Sequence, residues 1–295
     1  MITVVGGGLA GSLLALELAA RHRPITLVEA GGEESATALS YGLLLPGALG
    51  IWRALVRRHQ LEGLRRRWLQ LGTRGLPLPG AQVDPGLLRP SLQRALERAG
   101  VQLRGEHLRE LPEPGPVVLA CGAGCRALAP SLDARLGVSW AGLLELEARA
   151  VNAAIGWPPG LARLPGRFAR LDLEQRAPQL NREEWVVDPG LVPCGDRLLA
   201  GQISLIRPGM EAGLPPDPAV MEQRLRQALA GRWPRIADAP GRYRQAPVSF
   251  CSDGVPLAGP VGPGLMVLAG FSAAFSQLPA AAACLAEQLA ADSRP

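Results

Sequence analysis

The glycine run near the N-terminus limits the possible folds more than any other feature of the chain. Ile2–Val5 is a short β-branched run suited to a buried parallel strand, and it leads into Gly6-Gly7-Gly8-Leu9-Ala10-Gly11, a match to G-x-G-x-x-G. In that pattern Gly6 permits the tight turn, Gly8 lets backbone approach a pyrophosphate, and Gly11 lets the next helix pack close to the strand. Leu14, Ala15 and Leu18 then share one face at helical spacing. The unpaired amides and dipole at the start of that helix would face phosphates. A second strand, Ile25–Val28, ends at Glu29, eighteen residues after Gly11, where an acid can bond ribose hydroxyls. The glycines alone are a weak signal. Strand, turn, helix, strand and terminal acid in this order outweigh the alternative, a glycine-rich turn in an ordinary α/β protein.

The same stretch is apolar enough to raise a second reading, an export signal or membrane anchor. Such a signal needs a positive n-region, an uninterrupted apolar core and a small-residue cleavage site. Here no charge precedes the apolar stretch, Glu17 interrupts it, and only Leu18, Ala19 and Ala20 remain before Arg21-His22-Arg23. A spanning helix would want roughly 20 apolar residues. The export reading is weak, and a cytoplasmic setting is expected.

A chain of 295 residues that is 47% hydrophobic can bury a large core in one or two domains. All of its basic side chains are arginines, since the sequence contains no lysine, which excludes Schiff-base chemistry and a P-loop lysine. The densest basic run, Arg57–Trp68, has Leu55, Leu61, Leu64, Trp68 and Leu71 interleaved at helical spacing. It reads as an amphipathic helix with a solvated basic face rather than a nucleic-acid surface. The five cysteines form no CxxC and the histidines number three, so no metal site is expected and free thiols are.

Further along, Leu87–Leu103 reads as a helix ending near Gly100 followed by a strand, and Pro116–Leu128 as an apolar strand running into a small-residue turn. From Pro130 to about Gly213 the pattern is irregular, with strand candidates at Leu143–Ala150, Trp185–Val187 and Arg197–Leu205. Pro218–Pro234 is a helix stopped by Gly231. The strand Leu265–Ala269, a turn at Gly270–Ala274 and an alanine-rich helix to about Ala291 repeat at the C-terminal end the logic of the first thirty residues.

These segments, in this order, resemble the D-amino-acid oxidase/glycine oxidase family of FAD-dependent oxidoreductases. "SATALSYGLLLPG" is similar to the family's small-residue segment beside the flavin ring, and "VDPGLLRPSLQRALERAGVQL" to its proline-led helix before an adenine-contacting segment, here near Leu108. "VVLACGAGCRAL" resembles the family's strand-turn, "WVVDPGLVPCGDRLLAGQ" its substrate-domain hairpin, and "SDGVPLAGPVGPGLMVLAGFSAAFSQLPAAAACLAEQLA" its C-terminal flavin segment. The resemblance implies an α/β fold, with a Rossmann-like FAD-binding domain of the GR2 type and a smaller β-rich substrate domain. The expected division is 1–47, 84–128 and 248–295 for the discontinuous FAD domain, 48–83 for a helical insertion and 129–247 for the substrate domain.

The implied activity is oxidation of the C–N bond of an amine or amino acid by hydride transfer to FAD, with a small-molecule substrate. The implied cofactor contacts are Gly6, Gly8, Leu9, Ala10, Gly11, Glu29, Ala30, Ser40, Leu108, Ala120, Gly122, Gly270, Phe271, Ser272 and Ala273. The chain departs from the family in its length, in its C-terminal turn (Phe271, Ala274 and Phe275 where relatives have a histidine or similar residue and a later glycine), and at the expected carboxylate anchor. Where relatives carry Arg-Pro before the Asp-Gly, to hold a substrate carboxylate, it has Val248-Ser249 ahead of Asp253-Gly254. Arg244 is the nearest replacement as anchor, with a bidentate fork to offer, and Tyr41 is a candidate for the flavin face. Cys251 lies near the flavin segment but reads as a small buried thiol rather than a covalent attachment point. The alternative function is a flavin-binding protein without oxidase activity that assists modification of a peptide or RNA.

Overall fold

The computed structural model describes residues 1–32, 34–72, 74–112, 115–132, 134–148, 151, 158 and 160–291. The β-branched run at the start becomes β1 (Ile2–Val5), parallel to β2 (Ile25–Glu29), with Ile2 opposite Ile25 and Val5 opposite Val28. On the other side of β1 lies β7 (Val117–Leu119), then β14 (Leu265–Ala269) and the antiparallel β13 (Leu257–Gly262). With β6 (Gln102–Gly105) outside β2, the sheet order is β13-β14-β7-β1-β2-β6. β13 and β14 lie more than 250 residues from β1 in the chain on one side, and β6 about 100 on the other, so long-range pairing builds the sheet.

Helix α1 (Leu9–Ala19) is buried along almost its whole length because it is packed from two sides, by the sheet and by α8 (Ala274–Ala291). A second tie comes from α2 (Ala48–His59). Its Trp52 is fully buried, stacks on Phe275 with ring centroids 6.0 Å apart, and donates from Nε1 to the Phe275 carbonyl at 2.5 Å. Asp84 starts α3 (Pro85–Arg98) by accepting the Gly86 N–H at 2.9 Å, with Pro85 pre-set in the first turn. Its Leu88, Leu92 and Leu96 join the same core.

The eight-stranded sheet has the order β12-β8-β11-β10-β9-β4-β5-β3, in which the short members are β3 (Leu43–Leu44), β4 (Leu64–Leu71), β5 (Leu78–Val83) and β9 (Leu161–Leu164). Its long strands are β8 (Leu136–Glu147), β10 (Glu184–Cys194), β11 (Arg197–Ile206) and β12 (Gly241–Cys251). β10 and β11 form the expected hairpin. α6 (Pro218–Ala230) covers this sheet with Met221, Leu225 and Leu229. The fold class is as expected: a Rossmann-like parallel unit joined to a β-rich one.

Three local expectations need correction. The run Arg57–Trp68 is not one helix: α2 ends at His59, Gln60 and Gly63 take positive φ, and Leu64–Leu71 is the strand β4. It pairs with β5 (Leu78–Val83) and with β9 (Leu161–Leu164), leaving Trp68 53% exposed. Leucines three and four apart fit a helix, but available strand partners on both sides override the local spacing. The segment 48–83 is therefore helix followed by sheet rather than a helical insertion. Second, a boundary at 247/248 would cut β12, whose residues 241 to 251 all pair with β8. Third, β8 begins at Leu136, seven residues before the expected start, while Ala150 lies outside the described residues.

Candidate functional site

The glycine turn shows which of its glycines the fold itself requires. Gly6 has φ +108°, and a Cβ on it would lie 2.6 Å from Cys121 Cα and 2.7 Å from the Ala120 carbonyl. A Cβ on Gly11 would sit 1.9 Å from the Gly6 carbonyl oxygen. Both positions are closed by backbone. Gly8 differs, because its extended φ of −67° suits any residue and a Cβ would meet only Thr37 Oγ1, at 3.5 Å. The fold has no use for a glycine there, and the space above it is the cradle a pyrophosphate needs.

Around that cradle the donors are backbone. The Leu9 N–H donates to Thr37 Oγ1 at 3.1 Å, which holds the small-residue segment against the first turn of α1, next to Ala10. At the end of β2 the exposed Glu29 carboxylate accepts N–H groups from Gly7 and, at 3.2 Å, from Gly31. It therefore spans the mouth of the turn, with exposed Ala30 behind it. Leu108 packs on the cluster containing Val5, Val117 and Leu119, beside the same strands.

A second group of turns meets on the far side of β7. Buried Ala120 and Gly122, at φ +57°, form one turn; Ser249 at the end of β12 faces both Gly122 and Gly270. The Gly270 N–H donates to Ser249 Oγ at 3.3 Å, and at φ +82° its missing side chain would strike Cys251 Sγ. Phe271 turns its ring into the core, and the Ala273 N–H is held by Gln277 Oε1 at 3.3 Å. Ser272 donates to Glu174 Oε2 at 3.1 Å and accepts from Arg170 at 3.3 Å through its carbonyl.

The sequence reading missed that last pair of partners. Arg170 and Glu174 lie one turn apart on α5 (Ala169–Arg176), 2.7 Å from each other, and Asp188 caps the helix by accepting the Ala169 and Arg170 N–H groups at 2.6 and 3.1 Å. Burial raises both carboxyls, Glu174 and Asp188, above their ordinary values. The one available signal was Glu174 placed four residues after Arg170 in a short helix.

Tyr41 and Arg244 face the same side of the eight-stranded sheet, toward residues 34–41. Tyr41 packs with Leu39, Leu143, Leu199 and Ala246, and its buried hydroxyl has no hydrogen-bond partner among the described residues. Burial and the charge of Asp188 push that phenol well above its ordinary value, so it stays a neutral donor. Ser40 accepts the Gly42 N–H at 3.1 Å and fixes the backbone beside it. Arg244 is already engaged: Nη1 donates to Glu145 at 2.8 Å and Nε to Glu34 at 3.2 Å. Glu145 is shared with Arg197 at 2.9 Å. Arg244, Arg197, Arg242 and Arg89 line a cavity of about 220 Å³ with Ala38 and the start of α3.

No protein-family model and no curated protein matches the chain by sequence. Solved structures match along its whole length. Glycine oxidase from Geobacillus kaustophilus superposes with a TM-score of 0.73 at 18% identity, covering 100% of this chain and 95% of its own. Iminodiacetate oxidase from Chelativorans sp. BNC1 gives 0.70 at 18%, with 100% and 96% covered. L-proline dehydrogenase from P. horikoshii gives 0.69 at 13%, with 99% and 94% covered. The resemblance read from the ordered motifs is thus matched in three dimensions: the chain has the fold of these oxidoreductases from end to end.

Proposed function

We propose that this protein is an FAD-dependent oxidoreductase that oxidises the C–N bond of an amine or amino acid. The observation that carries the reading is the cradle over Gly8, open where Gly6 and Gly11 are closed. Gly8, Leu9, Ala10 and Thr37 would hold the pyrophosphate, with Glu29 exchanging its Gly7 and Gly31 amides for ribose hydroxyls. Ala120, Gly122 and the backbone of Gly270–Ala273 would hold the ring end, at the start of α8 where the dipole favours negative charge. The flavin, when bound, supplies the hydride acceptor, and the protein binds, orients and shields.

On the substrate side, Tyr41 offers a neutral hydroxyl with an unmet hydrogen bond. Arg244 serves as carboxylate anchor by exchanging Glu34, the more exposed of its two acids, for the substrate. Glu145 stays in place and keeps the fork oriented. In this reading the FAD domain comprises 1–42, 84–128 and 252–291, and the eight-stranded sheet is the substrate domain.

The test is direct. Purified protein is expected to carry flavin bands, to release FAD on acid precipitation, and to bleach anaerobically with at least one member of a panel of amino acids and secondary amines. Colourless protein that takes up no added FAD overturns the cofactor reading. Bound flavin that no amine reduces overturns the reaction.

A further inference from the structure

Of the five cysteines in the chain, two have been brought together. Cys121 Sγ and Cys125 Sγ lie 3.7 Å apart, in the turn that leads from β7 through Gly122–Gly124 into α4 (Cys125–Leu128). Cys125 is fully buried and Cys121 is half-buried. The other three are isolated from one another: Cys194 and Cys251 are buried in different clusters, and Cys284 is exposed on α8. The pair is also chemically unequal. The hydrogen bond between the two sulfurs holds the Cys121 thiol below its ordinary value, while the same bond and burial push Cys125 well above. The accessible member is the better thiolate, and the buried member keeps its proton. Burial, with the neighbouring Asp84 carboxylate, drives Cys194 the other way, up to about 12.

We propose that Cys121 and Cys125 are a modification site, a dithiol that peroxide oxidises to a disulfide within the turn. The Cys121 thiolate attacks one peroxide oxygen, the O–O bond breaks, and the sulfur becomes a sulfenic acid while hydroxide leaves. Cys125 sulfur then attacks the Cys121 sulfur. The S–O bond breaks, the Cys125 proton goes to the departing hydroxide, and the products are one disulfide and water. One peroxide is reduced to two waters and two thiols are oxidised. Closing the bond asks the sulfurs to approach from 3.7 Å to about 2.05 Å, a movement that side-chain rotation can largely supply. Cys125 is out of reach of solvent oxidant and reacts only through Cys121, so the order of steps is fixed by burial.

The location gives the reaction a consequence. Cys121 Cα forms the floor beneath Gly6, and Gly122 opens the neighbouring turn. The bridge would therefore stiffen the backbone on which the nucleotide turn rests. This site does not depend on the proposed reaction, because the oxidant can be added.

The purified protein is treated with one equivalent of hydrogen peroxide, blocked with N-ethylmaleimide and digested with trypsin. The cleavage sites Arg109 and Arg126 place both cysteines on the single peptide 110–126. That peptide is expected unalkylated and two hydrogens lighter than the dithiol, with Cys284 still alkylated. Cys125→Ser should stop at a Cys121 sulfenic acid that dimedone traps, and Cys121→Ser should leave Cys125 unoxidised. Recovery of the wild-type peptide with two maleimides, under conditions that consume Cys284, overturns the proposal. So does equal oxidation of Cys125 in the presence and absence of Cys121. The wild-type measurement stands even if a variant folds poorly.

Discussion

Around Gly8 the chain offers backbone amides and empty space. Around Arg244 it offers guanidinium groups with two carboxylates, Glu34 and Glu145, already seated among them. The first region asks a ligand to fill a gap beside the start of a helix and to release one exposed acid, Glu29, from its backbone amides. The second is self-neutralised, so any anion entering it must displace an acid that the protein has put there. The glycine turn is built from local sequence, whereas the buried guanidinium of Arg244 is balanced by acids from distant parts of the chain. An unmatched buried guanidinium would cost the fold several kcal/mol.

The comparison breaks first at the glycines. Gly11→Val puts a side chain 1.9 Å from the Gly6 carbonyl, and no folded, soluble protein is expected from it. Gly8→Val should keep its circular dichroism and melt within a few degrees of the apo wild type, yet retain no FAD. If the two variants fail alike, Gly8 is a packing glycine and the cradle is not a ligand site.

Next in size is Arg244→Leu. Arg244 and Glu145 are only 11% and 13% exposed, and Arg244→Leu leaves Glu145 with Arg197 as its remaining partner, so the loss should stay below the roughly 3–5 kcal/mol of a fully stranded buried carboxylate. The melting temperature should fall by several degrees, and Arg244→Leu/Glu145→Leu should recover part of the loss. Arg242→Leu is the control: at 67% exposure and 3.7 Å from Glu34, it should cost under about 1 kcal/mol. If Arg244 also anchors substrate, Glu34→Gln should lower KM while Arg244→Leu raises it. Opposite or absent KM effects leave Arg244 a purely structural residue.

Glu29→Ala removes one charge-assisted contact and should weaken FAD binding by about 1.5–3 kcal/mol, read by titration of apoprotein, with little change in apo stability.

The smallest effect is in pH. Burial raises Glu174 above its ordinary 4.5, so between the unfolded and folded values the folded chain holds a proton that the unfolded chain has released. Stability then falls as pH rises through that window. The melting difference between wild type and Glu174→Gln should move against the wild type between pH 4.5 and neutrality. A difference that moves in its favour means the ion pair with Arg170 outweighs burial.

The parts of this arrangement that could be read in advance are those that neighbouring residues decide. Ile2–Val5, the glycines and Glu29 fall within one short stretch, and Leu265–Ala269 forms as read. Thr37 was visible as a member of a small-residue segment, though not its bond to Leu9. β4 was misread because leucine spacing over eight residues suits a helix, and only β5 and β9 decide otherwise. The matching of Arg244 was illegible for the same reason on a larger scale, since Glu34 and Glu145 lie 210 and 99 residues away in the chain. Glu145 did carry a hint, an acid between the apolar Leu144 and Leu146. Arg170 and Glu174 could be paired with the C-terminal turn only once α5, capped by Asp188, was in place.

The position of β14 and α8 sets a timetable for biosynthesis. β14 is an inner strand, between β13 and β7, and α8 closes the outer side of α1. A nascent chain that has emerged only as far as β12 has every glycine of its first turn, yet leaves an edge of β7 bare and α1 half uncovered. Its early segments must wait, exposed and adhesive, for the last ones to be translated. Holdase protection is thus needed most before β14 and α8 appear, and a ribosome stalled there releases not a shortened folded chain but a substrate for quality control.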